Sequence, residues 1–163
     1  LGLSASERET LAPSSRRNSR LSQIIFARWC QVMMRFERDL YADPSRDLNT
    51  LWWDLVERYQ LVPRPQGRHE PDWAAKIHIV SAPVYYHNYM LGELFASQLD
   101  HTIQTTVLNA RDGRRSMVNE PAVGTFLREQ VFQAGKKFRW DELVKRATGA
   151  PLAPDHFVEQ FVR

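Results

Sequence analysis

Seven polar side chains able to hold charge, pass a proton or hydrogen-bond a ligand fall within fourteen positions: Lys76, His78, Tyr85, Tyr86, His87, Asn88 and Tyr89. Lys76 and His78 stand in a run, Ala75 to Val80, that alternates small or apolar with polar residues. It reads as a short extended segment ending at Pro83, on which side chains two apart point the same way. Tyr86 and Tyr89 are three apart in a pattern that reads as a helix from about Val84 to Leu108. Both hydroxyls then leave one face near the helix start, where the dipole favours anions. If the segment folds back over that helix end, an ammonium, an imidazole and two phenols converge, a setting for a carboxylate and for a developing oxyanion. The same spacing also serves tyrosines packed in a core with wet edges. Glu93, one turn after Tyr89, reads either as an acid/base partner or as a packing carboxylate.

The elements that must position these groups read as helices. From Leu21, the residues Ile25, Trp29, Val32/Met33, Phe36 and Leu40 recur at three- and four-residue steps and predict a helix ending near Tyr41, before Asp43-Pro44. Asp47 or Asn49 can cap the next helix, whose buried side is Leu51/Trp52, Leu55/Val56 and Tyr59. Trp52 and Trp53 are adjacent and face partly different ways. A proline-containing connector, Leu61 to Pro71, leads to the polar stretch. Downstream, a turn-rich loop around Asp112-Gly113 carries Arg111, Arg114 and Arg115, read as a solvated face. Glu120-Pro121 opens a helix that Gly135 ends, Trp140 opens one that stops at Gly149, and Pro154 opens the last, with Phe157, Val158 and Phe161 inward. The expected fold is all-α, about six helices with one short extended segment, forming a single domain over 21–163 after a flexible N-terminal arm over 1–20.

Composition narrows the function classes. An apolar fraction of 43% supports a core, and no run approaches the roughly twenty apolar residues of a membrane span. The net charge of +3 is modest; the local cluster Arg16, Arg17 and Arg20 lacks the interleaved aromatics of a nucleic-acid tether, so no nucleic-acid partner is expected. The single Cys30 excludes an internal disulfide and reads as a buried thiol. Leu1 is not an initiator methionine and no signal-peptide pattern follows, so the chain is expected to begin inside a longer gene product or after a tag scar.

The order Ala-Lys-Ile-His-Ile, then Tyr-x-x-Tyr at the start of a long helix, resembles the C-terminal catalytic region of the angiotensin-converting-enzyme family of zinc peptidyl-dipeptidases. Leu-Trp-Trp-Asp-Leu-Val-Glu-Arg-Tyr-Gln upstream and Ala-Thr-Gly-Ala-Pro downstream resemble that family's Trp-Trp helix and closing turn, so the likeness covers roughly residues 21 to 163. The resemblance implies that Lys76 and Tyr86 hold a peptide's C-terminal carboxylate, that His78 hydrogen-bonds the peptide, and that Tyr89 stabilises the oxyanion beside zinc. One extra residue between the pairs leaves Tyr85 as the alternative to Tyr86, and Asn88 stands where the family has the Arg of its chloride site.

The family's zinc motif, His-Glu-x-x-His, is missing: His69-Glu70 runs into Pro71, Asp72 and Trp73. His87 and His101 read as solvated or half-buried helical residues and His156 as surface. No metal site is therefore expected in this chain, while zinc is expected in the complete enzyme. The resemblance thus implies the substrate-binding part of a zinc peptidase, with the peptide C-terminus and a missing N-terminal half, or a self-associating partner, as its partners. Alone it is expected to be hydrolytically inactive. A non-catalytic helical peptide-binding or protein-interaction module is the alternative.

Overall fold

The structure, a computed structural model, describes residues 2–110 and 113–163, so Arg111 and Asp112 lie outside the described residues. Seven α-helices and no strand occur among the described residues, as the all-α reading expected. The chain divides into two compact units, one up to Met90 and one from Leu91 to Phe161.

The first unit is built on a helical hairpin. Helix α1 runs from Ala5 to Ala42, well before the Leu21 onset that apolar periodicity marks. A capping box explains the early start: Ser4 Oγ accepts the Glu7 N–H at 3.3 Å and Glu7 returns a carboxylate to the Ser4 N–H at 2.8 Å. Helix α2, Leu48–Gln60, is capped by Asp47, which accepts from the backbone N–H and the hydroxyl of Thr50. The two pack through aromatic edges: Trp52 stands T-shaped against Trp29 at 5.7 Å and against Phe36 at 5.2 Å. Cys30, Val32, Met33 and Phe36 are buried beside them, whereas Ile25, placed in the apolar stripe by its spacing, is 55% exposed. Trp52 goes into the core and Trp53 to the rim, where its indole N–H donates to Asp72 at 3.2 Å.

The extended segment expected over Ala75 to Val80 is not there. Asp72–Ala75 forms a 3-10 turn and Ile77–Val80 a single α turn, α3, with only Lys76 between them in extended backbone. One face of such a turn is enough to bury Ile79, while Ile77 and Val80 stay exposed. Helix α4, His87–Thr102, begins three residues later than the sequence suggests. Val84 has a φ of +54°, outside the α region, and buried Glu37 of α1 accepts its N–H. A buried carboxylate thus takes up the Val84 N–H and ties the chain into a turn just where proline would have admitted a helix.

The second unit is held by buried amides. Thr105 and Thr106 hydroxyls bond back to the carbonyls of His101 and Thr102, and α4 gives way there to a π-helical turn over Ile103–Val107. Gln98, 2% exposed, donates to Thr148 Oγ1 and to the carbonyls of Ala150 and Pro151, and accepts the Ala153 N–H. Gln104 accepts the Arg115 N–H and donates to its carbonyl. The remaining helices are α5, Pro121–Leu127, extended by a π turn over Arg128–Phe132; α6, Trp140–Thr148, ended by Gly149 at φ +82°; and α7, Asp155–Phe161. Val123 joins Ile103 and Leu108 in one core cluster, and Phe157 is buried as expected.

Candidate functional site

In the first unit three of the four residues singled out by type and spacing, His78, Tyr86 and Tyr89, meet one another, and the fourth, Lys76, shares the neighbour Trp29 with Tyr86. His78, on α3, places Nε2 3.0 Å from the hydroxyl of Tyr89, on the first turn of α4. The His78 ring meets Tyr86 at 5.0 Å and Tyr89 at 5.5 Å, both nearly perpendicular, and Tyr86 and Tyr89 are 5.0 Å apart. Helical turns, rather than an extended segment, carry out the convergence.

Tyr86 is buried, and burial pushes its hydroxyl above the ordinary phenol range, against a hydrogen bond from the Trp29 side chain that acts the other way. An indole N–H only donates, so whatever Trp29 offers Tyr86 leaves the phenol its own proton to donate. Tyr85, the alternative in register, is 49% exposed, with its ring against Tyr89 at 5.5 Å.

Lys76 puts its ammonium 5.3 Å from the Trp29 ring and 5.8 Å from that of Trp52, within range of both aromatic faces. It faces a pocket of about 420 Å³ lined also by Trp53, Val62 and Arg68. Arg68 is occupied: it grips Asp72 through Nε at 2.8 Å, and that bond holds the Asp72 carboxyl below the usual carboxylate range. Lys76 forms no close ion pair among the described residues, and its charge also reaches the Asp72 carboxyl, which Arg68 holds in the same pocket wall. Largely apolar walls, two indoles and an ammonium without a close ion pair suit an acidic group on an apolar chain.

Other expected residues fall elsewhere. His69 and Glu70 lie in an irregular, exposed stretch between α2 and the 3-10 turn. Their donors do not fit the paired imidazoles and carboxylate of a catalytic zinc, which need a helix to stand one turn apart. Glu93 is half-buried on α4. Arg114 and Arg115 are not simply solvated: Arg114 forms a bidentate pair with Asp100 at 2.6 and 2.7 Å, and Arg115 caps the Leu108 carbonyl at 2.8 Å. Sequence spacing placed Trp29 in the apolar stripe of the first helix without a part in the site, and gave no part to Glu37, to Gln98 or to the pairing of His101 with His156.

No helix is long and apolar enough to cross a membrane among the described residues. Comparison with curated proteins and with solved structures yields no match. The family model for carboxypeptidase Taq (M32) metallopeptidase matches residues 77–162. That stretch takes in His78, Tyr86 and Tyr89 and stops one residue short of Lys76. A zinc-dependent peptidase family is thus what the residue order rightly implied, but the angiotensin-converting-enzyme-like assignment is corrected. With just over half of its length matched, the chain belongs to the carboxypeptidase Taq (M32) family of metallopeptidases.

Proposed function

We propose that this chain binds the C-terminal end of a peptide, serving a metallopeptidase that trims peptides from that end. The observation that carries the reading is the convergence of His78, Tyr86 and Tyr89, with Tyr86 a neighbour of the Trp29 that also underlies Lys76. Lys76 supplies a point charge for the terminal carboxylate, and Tyr86 adds its unspent hydroxyl proton. The apolar pocket receives the side chain next to that carboxylate.

His78 and Tyr89 work as a pair whose direction matters. If Nε2 carries the proton and donates to the Tyr89 oxygen, the Tyr89 proton is free to point at a peptide carbonyl oxygen as negative charge develops on it. In the other tautomer Tyr89 spends its proton on His78. Peptide binding selects the first arrangement by giving the phenol a better acceptor. Lys76, His78, Tyr86 and Tyr89 do not offer the paired imidazoles and carboxylate of a catalytic metal, so hydrolysis draws on groups outside this set, and the set by itself binds without cutting.

The test compares a fluorescent peptide carrying a free C-terminal carboxylate with its C-terminal amide. The acid binds and the amide does not, and Lys76→Met weakens the acid by about ten- to a hundredfold, the worth of one charged hydrogen bond. Equal affinity for acid and amide overturns the reading. Where the intact gene product hydrolyses the peptide, a single released residue fits the carboxypeptidase name of the family. A released dipeptide fits the peptidyl-dipeptidase spacing of Lys76, His78, Tyr86 and Tyr89. Binding without hydrolysis leaves a peptide-capture module.

A further inference from the structure

His101 lies in the last turn of α4, and His156 and Glu159 stand three apart on α7, a spacing that sets two side chains on one helix face. The fold of the second unit stacks the two imidazoles, centroids 4.1 Å apart and planes inclined by 24°. One ligand atom from each of His101, His156 and Glu159 lies within 4.8 Å of the others. They open onto a pocket of about 360 Å³ whose wall also carries Asp100, Gln104 and Arg114. Arg114 is the nearby cation that would repel a metal, and its charge is met by the bidentate bonds to Asp100. Nδ1 of His156 is buried with no hydrogen-bond partner among the described residues. In the tautomer that protonates Nε2 this nitrogen is a desolvated acceptor, and a cation bound there would satisfy it.

We propose that His101, His156 and Glu159 form a binding site for a transition-metal cation of the zinc class, joining the end of α4 to α7. Two imidazoles and one carboxylate suit Zn²⁺ and its neighbours; Mg²⁺ and Ca²⁺ prefer oxygen-only shells. Zinc bonds of about 2.0–2.2 Å bring tetrahedral donors to about 3.5 Å from one another, so binding draws the three atoms in by roughly an ångström and turns the exposed His101 ring out of its stack with His156. His101 and Glu159 are exposed and have the side-chain freedom to close that gap. Three protein donors leave a further position for water, and the site's first consequence is to fasten α7. None of these residues belongs to the peptide-binding set proposed above.

Zinc titrated into the full chain tests this by calorimetry, with thermal unfolding followed alongside. One equivalent binds, and the melting temperature rises with zinc concentration. His101→Ala and Glu159→Gln each weaken binding by about tenfold or more, at least as much as the loss of a supporting residue in other metal sites. His69→Ala leaves it unchanged. Both variants alter exposed side chains, and matching helicity and metal-free melting show that they fold. No zinc binding, or unchanged affinity in either His101→Ala or Glu159→Gln, overturns the site.

Discussion

Replacing Gln98 by Met tests whether the second unit depends on one amide. Gln98 is 2% exposed and its side chain makes four hydrogen bonds to the segment from Thr148 to Ala153. Methionine has nearly the same length and is more apolar, so burial alone predicts a neutral or stabilising change. The hydrogen-bond account predicts the reverse. Thr148 Oγ1 keeps its bond to the Val144 carbonyl at 2.8 Å, and the Ala150 carbonyl keeps Thr148 at 3.1 Å. The Pro151 carbonyl and the Ala153 N–H lose the bonds that Gln98 gives them. The Ala153 N–H is left unpaired at a half-buried residue, at about 1–3 kcal/mol, while Pro151 is exposed and its carbonyl can turn to water, so Gln98→Met costs about 1–3 kcal/mol, on the order of 5 °C in melting temperature. Gln98→Glu fares no better, because a carboxylate oxygen replaces the NH₂ group that faces three oxygens. Urea unfolding gives the total, and hydrogen exchange at Ala153 locates it, with protection at that amide falling before the rest of the unit. A loss below about 0.5 kcal/mol in Gln98→Met, with Ala153 still protected, would refute the reasoning.

Phe36 has no exposed surface and carries Trp52 and Trp73 on its ring at 5.2 and 5.5 Å, so Phe36→Ala should cost about 3–5 kcal/mol in urea unfolding followed by tryptophan fluorescence. Tyr86 should titrate after the exposed tyrosines in an alkaline absorbance titration, and Tyr86→Phe should remove that late step. The sign follows from the raised phenol: its contribution is fully present below about pH 10, where the unfolded phenol is still neutral, and is lost as the pH rises through the folded value. Tyr86→Phe should therefore flatten the fall in stability above pH 10, and an unchanged alkaline limb would count against a buried, neutral Tyr86.

Much of the helical framework was legible because its signals are local. Asp47 before Leu48, Glu120-Pro121, and Gly149 after Thr148 mark helix ends through bonds and dihedrals that span a few residues. The Ser4-x-x-Glu7 box is as local and marks the start of α1, yet an apolar stripe beginning near Leu21 draws attention away from it. Apolar period alone misplaced Ile25, since a stripe fixes a face only to within a residue or so and the partner helix chooses the rest. The polar alternation over Ala75 to Val80 misled for a related reason: a six-residue run fits period two and a helical turn about equally well.

The sequence by itself determined the helices, their caps and the residue types, Lys76, His78, Tyr86 and Tyr89, from which a peptide-terminus site can be built. The tertiary structure alone decided three things: that Glu37 holds Val84 out of a helix, that Trp29 lies between Lys76 and Tyr86 as a common neighbour, and that His101 meets His156. Caps and amphipathic periods rest on interactions between residues three or four apart, which spacing displays directly. A buried carboxylate's partner, an ammonium's aromatic floor and a pair of stacked imidazoles are contacts between distant positions, and only the packing of helix on helix chooses them.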